Sequence, residues 1–134
     1  MNRVTIAVAT FAVPLLALSA LQKQPTRYVA LDGDTIQHGA ERIRLLYIDA
    51  PEMPGHCRPG RECVAGDPYA AKAALQEALD SGHVRCEGEA RDRYGRRLAE
   101  CFVTAPESSR TVSVNEWMLA AHHALPYRYR GSSR

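Results

Sequence analysis

Apolar positions change their rhythm several times along the chain. Behind Arg3, residues Val4 to Leu18 form a nearly unbroken apolar run that ends at the small residues Ser19 and Ala20, and residues 20–25 are a short polar linker. From there the apolar positions come in short, β-rich groups. Arg27 to Leu31 reads as a strand, Asp32-Gly33-Asp34-Thr35 as a turn, His38-Gly39-Ala40 as a loop, and Arg42 to Ile48 as a second strand antiparallel to the first. Pro51 to Gly66 contains three Pro, three Gly and two Cys and reads as a long irregular loop, a feature that in a compact domain is usually functional or stapled. Asp67 then offers an N-cap and Pro68 a first helical position, and the Ala-rich stretch to Asp80 meets a stop at Ser81-Gly82. Strands are predicted at His83 to Glu89 and Arg97 to Val103, joined by Asp92-Arg93-Tyr94-Gly95, which has Asp first and Gly fourth as a type I turn prefers. Ser113 with Glu116 has capping-box form and opens a second helix to about His122, ahead of Pro126.

Strands, a helix and then more strands predict an α+β, mainly β domain built on a small closed or partly closed barrel. A barrel this small is filled by its own side chains, which places any chemistry on its outer face or rim. The length of 134 residues suits one domain, and 46% apolar residues supply one core. A net charge of +2 creates no global field that would draw the protein to a polyanion, so an anion site has to be local. Arg supplies 15 of the 17 cations, a skew that suits bidentate phosphate contacts but also follows from GC-rich codons.

The opening positive charge, apolar run and small residues follow the grammar of a secretory signal, with cleavage after Ser19. The alternative is an uncleaved membrane anchor, for which about 15 apolar residues interrupted by Pro14 are short against the roughly 20 that a spanning helix needs. Residues 1–19 are therefore expected to be a signal peptide and the domain to be secreted or periplasmic, with no stable membrane partner once cleaved. Export agrees with four cysteines, an even number that favours disulfides in an oxidising compartment. A hairpin centred on Asp92 to Gly95 sets Cys86 opposite Cys101, which leaves Cys57 and Cys63 to close a small loop. A zinc site on His56, Cys57 and Cys63 fits poorly, since the Cys spacing is too wide and no second ligand pair follows.

Three segments carry candidate chemistry. Asp32-Gly33-Asp34 offers carboxylates that can ligate a hard cation or simply stabilise a turn. Arg42 to Glu52 delivers Arg44, then Asp49 and Glu52 at a strand end where Pro51 forces the chain out of the sheet, and a bulge or turn has to intervene because Asp49 and Glu52 differ in parity. Arg91 to Arg97 is a hairpin tip with several guanidinium groups. Taken alone, Asp32-Gly33-Asp34 reads first as a turn, Arg42 to Glu52 as a half-buried strand with a solvated charged tip, and Arg91 to Arg97 as an ordinary charged turn.

Taken together, DGDT, RLLYIDAPE and DRYGRRLA occur in an order and spacing that resemble the staphylococcal nuclease (thermonuclease) family, and the resemblance extends over about residues 26–130. It implies an OB-like five-stranded barrel with two helices and a Ca²⁺-dependent activity that cleaves DNA and RNA, and residues 131–134 are expected to form a disordered tail. Carried over by position, Asp34 and Asp49 match the family's metal carboxylates and Ala50 its metal-binding main-chain carbonyl. Arg44 and Arg96 match its catalytic arginines, and Glu52 its catalytic glutamate. The chemistry is self-consistent. Attack on a phosphodiester builds negative charge on phosphorus-bound oxygens, which preplaced guanidinium groups stabilise, and Ca²⁺ prefers the all-oxygen donor set of two carboxylates, a carbonyl and water. Arg93, Tyr94, Tyr127 and Tyr129 are candidates for holding substrate by backbone contacts and base stacking. With few stacking groups and no major-groove helix, single-stranded or frayed nucleic acid is the expected substrate, read without sequence specificity by a monomer. The alternative from another class is a noncatalytic OB-type module that binds nucleic acid or protein.

Overall fold

In the computed structural model, residues 26–128 are described. The expected signal segment, the linker, Tyr129 and the tail lie outside them. Among the described residues, eight short strands and two helices follow in the order β1 (Tyr28–Ala30), β2 (Thr35–His38), β3 (Glu41–Leu45), β4 (Ile48–Asp49), α1 (Pro68–Asp80), β5 (His83–Glu87), β6 (Arg97–Thr104), β7 (Thr111–Ser113), α2 (Val114–Ala120) and β8 (Leu125–Pro126). The architecture is mainly β, and a five-strand path runs β1-β2-β3-β6-β5. Every pair is antiparallel except β3 with β6, so the sheet is mixed. Among the described residues no ladder returns from β5 to β1, and the barrel is therefore open.

Several boundaries differ from the sequence expectation for identifiable reasons. β2 runs from the end of the expected turn at Thr35 to the start of the expected loop at His38, where no strand is predicted; its Ile36 is fully buried, and the strand lies between β1 and β3, which therefore do not pair directly. The run from Arg42 to Ile48 is broken after Leu45 because Tyr47 adopts a left-handed backbone (φ 64°). That kink lets the Leu46 N–H reach Ala99 O at 2.9 Å while Tyr47 O accepts from Tyr127 N at 2.7 Å, so the chain passes from the main sheet to a β4–β8 ribbon. β5 stops two residues early at Gly88, whose φ of 131° and closeness to Leu98 O leave no room for a Cβ. α2 ends at Ala120 rather than His122, which itself has φ 59°.

β6 is the hub. Its Phe102–Thr104 end pairs with β5 on one edge and β7 on the other, whereas its Arg97–Ala99 end pairs with β3. Between β3 and β7 one edge of β6 has no strand partner among the described residues, and the buried Asn115 side chain fills the gap. Its Oδ1 accepts from Cys101 N at 3.0 Å, and its Nδ2 donates to Leu46 O at 2.9 Å and Ala99 O at 3.3 Å. Main-chain groups that would otherwise be buried unpaired are thus satisfied where the sheet divides. The core is built from Ile36, Ile43 and Leu45 of the early strands, Ala99, Cys101 and Val103 of β6, Leu75 and Leu79 of α1, and Met118 of α2.

The strongest helix signal is realised as read. Asp67 caps α1 by accepting from Tyr69 N and Ala70 N at 2.9 and 3.1 Å, with Pro68 at the first helical position. Both expected disulfides are present, Cys86–Cys101 directly across the β5–β6 ladder and Cys57–Cys63 within the irregular loop. Among the described residues no helix is long and apolar enough to cross a membrane.

Candidate active site

The turn before β2 carries the first carboxylate. Asp32 Oδ1 accepts from Asp34 N at 3.0 Å, and Leu31 N donates to Thr35 O at 2.8 Å, which closes the loop and turns Asp34 inward. Gly33 makes this possible, because a Cβ there would stand 2.6 Å from the Ala50 Cβ and 2.8 Å from the Ala71 Cβ. α1 and the end of β4 therefore close directly onto the turn. Asp34 is buried; its Oδ2 accepts from Ala50 N at 2.8 Å, and Thr35 Oγ1 donates to its Oδ1 at 3.1 Å.

Arg44 lies opposite Thr35 in the β2–β3 ladder and is itself buried. Its guanidinium forks across two carboxylates, with Nη1 2.7 Å from Asp34 Oδ2 and Nη2 3.0 Å from Asp49 Oδ1. Burial is the largest influence on Asp34 and raises its carboxyl to about 7; the Arg44 charge and the Ala50 N–H pull the other way, and Asp32 and Asp49 add to the rise. Of the two carboxylates, Asp34 has Arg44 as its cationic partner, whereas Asp49 also meets Arg61. Asp34, Asp49 and Ala50, the three expected metal residues, are assembled in one place, with Arg44 between the carboxylates. Their donor set is all oxygen, which suits a hard divalent cation such as Ca²⁺. Among the described residues no three His, Cys, Asp or Glu side chains cluster as a ready-made cage, so main-chain oxygen and water would have to complete such a shell.

Glu52 follows Pro51 as the chain leaves β4. Its Oε1 accepts from Arg61 Nη1 at 2.9 Å, and Arg61 Nη2 lies 2.9 Å from both oxygens of Asp49. Burial opposes the Arg61 charge, but hydrogen bonding and attraction from Asp49 and Glu52 hold its pKa above the ordinary value. Arg61 is absent from the sequence expectation. The signal available was its place between Cys57 and Cys63, which confines it near the carboxylate segment, but the direction of its side chain depends on contacts that no local pattern encodes.

Arg96 is not drawn into this cluster. Its Nε binds Asp92 Oδ2 at 2.7 Å, and its guanidinium lies 5.5 Å from the Tyr94 ring centroid. Burial pushes Asp92 up, but the Arg96 side chain and the Arg96 and Tyr94 N–H groups outweigh it and hold the carboxyl below its usual range. Arg96 nevertheless stands immediately before β6, near Arg44 along the parallel β3–β6 ladder. Arg44 is in register with Leu98 in the parallel β3–β6 ladder, and Arg96 lies two residues before Leu98. Two strand rises and one interstrand spacing put the two Cα atoms about 8 Å apart, within the reach of a rotated arginine side chain.

The hairpin tip holds two of the four expected substrate groups, Arg93 and Tyr94. Tyr94 is exposed; its hydroxyl accepts from Arg93 Nε at 2.7 Å and from Arg58, and the Arg58 and Arg93 guanidinium carbons lie 4.4 and 4.9 Å from its ring centroid. Arg58 also went unanticipated. Tyr127 is exposed beside β8, with its N–H on Tyr47 O. Tyr129 is outside the described residues.

An open, OB-like β domain whose rim holds paired buried carboxylates, an adjacent glutamate and several arginines combines oxygen donors suited to a hard cation with anion-binding groups. The comparisons agree: the staphylococcal nuclease homologue family matches residues 42–134, and the chain belongs to that family. The succinoglycan biosynthesis protein ExoI of Rhizobium meliloti (strain 1021) is 35% identical over 100 residues, covering 71% of this chain and 48% of that protein. Two proteins of Bacillus subtilis (strain 168) are each 34% identical over 92 residues, or 62% of this chain. They are the SPbeta prophage-derived endonuclease YokF, covered over 29% of its length, and the endonuclease YncB, covered over 41%. The chain therefore spans about half or less of each of these relatives.

Proposed function

We propose that this protein is an exported, Ca²⁺-dependent, sugar-nonspecific nuclease that hydrolyses phosphodiester bonds in DNA and RNA, acting as a monomer on single-stranded or frayed substrate. The observation that carries the reading is the Arg44 fork, which holds Asp34 and Asp49 together in a buried rim site three residues before Glu52. Family membership and the endonuclease relatives support it. When bound, Ca²⁺ would supply Lewis-acid stabilisation of the phosphate charge, held by Asp34, Asp49 and the Ala50 carbonyl.

The chain's own groups divide the remaining work. Arg44, fixed by its two carboxylates, presents a preorganised positive charge that gains most as charge builds on the phosphoryl oxygens. Arg96 swings from Asp92 to the opposite side of the phosphate, while Tyr94, Arg93, Tyr127 and Tyr129 hold the flanking strand. Glu52, once released by Arg61, orients an attacking water or takes its proton, a role worth roughly 10²- to 10⁴-fold.

Incubating the protein with single-stranded DNA and with RNA, in Ca²⁺ or in chelator, tests this directly. Metal-dependent cleavage is expected, and Glu52→Gln, Arg44→Lys and Arg96→Lys are each expected to lose most of it while remaining folded by circular dichroism. Binding without metal-dependent cleavage would instead favour a noncatalytic module. N-terminal sequencing of exported protein checks removal of residues 1–19.

A further inference from the structure

The cation on Asp49 and Glu52 comes from a short tethered loop. Cys57 and Cys63 close that loop around Arg61, and Arg58 on the same loop holds the Tyr94 hydroxyl, so the loop is fastened both to the carboxylates and to the hairpin tip. Asp49 Oδ1 accepts from Arg44 Nη2 at 3.0 Å and Arg61 Nη2 at 2.9 Å, and Oδ2 accepts from Arg61 at 2.9 Å. A carboxylate offers about four lone-pair sites, and three of these are taken. A divalent cation bound about 2.3–2.6 Å from either oxygen would meet the Arg61 charge across the same atom.

We propose that Arg61 is a built-in counter-ion that competes with a divalent cation for Asp49, held in place by the Cys57–Cys63 loop, so that the site binds metal only by displacing it. Arg61 is a positioning residue, for it acts on the carboxylates that carry the site. The proposal rests on reading Asp34 and Asp49 as metal ligands. Displacement also frees Glu52, whose ion pair is with the same guanidinium. Metal entry and release of the water-handling acid are thereby a single event. The side chain of Arg61 is 37% exposed, which keeps the pair weak enough to be broken by a divalent ion.

Ca²⁺ affinity, measured by calorimetry on the disulfide-intact protein, tests the proposal, with Tb³⁺ luminescence as a second readout. Arg61→Gln is expected to tighten binding about tenfold, the scale of one broken charge-assisted pair at a partly buried site. Arg58→Gln removes the same charge from the same loop without touching a carboxylate and is expected to change affinity less than about threefold. Cys57→Ser/Cys63→Ser, which unties the loop, should fall between them. Unchanged or weaker binding by Arg61→Gln would overturn the proposal, as would equal tightening by Arg58→Gln, which would reduce the effect to general charge. Cleavage assayed in parallel separates the two readings. Tightening in Arg61→Gln with no cleavage by either protein leaves the counter-ion standing and removes the nuclease; Ca²⁺-dependent cleavage by the wild type with unaltered affinities does the reverse. Absence of metal binding in both proteins overturns both.

Discussion

Asp34→Asn is expected to stabilise the metal-free protein, by an amount that depends on pH. Burial raises the Asp34 carboxyl from 3.8 to about 7, so between those values the folded protein holds a proton that the unfolded chain has already lost. The unfolded chain binds fewer protons over that interval, and this residue therefore costs stability as pH rises through it, reaching its full effect above about 7. At about 1.4 kcal/mol per pH unit the interval amounts to about 4 kcal/mol. Asparagine removes that cost while keeping the local bonds: its carbonyl oxygen accepts from Ala50 N and Arg44, and its amide faces the Thr35 hydroxyl, which turns from donor to acceptor. The Arg44 attraction is already contained in that interval, so the net gain should approach about 4 kcal/mol at pH 8. Urea unfolding in chelator, run on both proteins from pH 4 to pH 8, measures the difference directly. The expected curves nearly coincide at pH 4 and diverge upward. Added Ca²⁺ should stabilise the wild type and leave Asp34→Asn almost unmoved. A variant less stable than wild type at pH 8, or a difference that does not vary with pH, would refute the assignment of burial as the dominant influence on this carboxyl.

Other perturbations follow from the same structure. Gly33→Ala forces a Cβ to within 2.6 Å of Ala50, and calorimetry should show about 1–3 kcal/mol of lost stability together with weakened Ca²⁺ binding, because Ala50 and Asp49 move as one. Asn115→Ala strands the Cys101 N–H and Leu46 O where the sheet divides, and denaturant unfolding should register a loss of about 2–4 kcal/mol. Replacing Cys86 and Cys101 by Ala opens a closure 15 residues apart and should cost about 3 kcal/mol, whereas Cys57→Ser/Cys63→Ser, with a separation of 6, should cost less in stability than it changes in metal affinity. Raising salt should weaken binding of single-stranded DNA in chelator to a degree that Arg93→Gln reduces.

Features set by neighbours along the chain were legible in the sequence: the Asp67 cap, the Pro68 start, the Asp92 to Gly95 turn and the Cys86–Cys101 alignment that this turn dictates. β2 was obscured because Thr-Ile-Gln-His is too short to show alternation, and its strand character comes from Ile36 packing between two other strands. Tyr47 hid the break between β3 and β4, since nothing in Arg42 to Ile48 announces a left-handed residue. The carboxylates and arginines of the rim could be named from their motifs, but not their pairings. A guanidinium chooses among acids by geometry, and Arg96 prefers an Asp92 four residues away on its own hairpin to the carboxylates across the sheet. Arg61, nine residues beyond Glu52, takes a place at those carboxylates. Arg96 is consequently held by an acid of its own hairpin, whereas Arg61, on a disulfide-closed loop, is held by Asp49 and Glu52. A phosphate and a divalent cation entering together would reverse both pairings, releasing Arg96 to an anion and Arg61 from one. A bound phosphate would attract the Arg61 guanidinium off Asp49, and a cation on Asp49 would release that guanidinium toward phosphate, so the two affinities should be positively coupled.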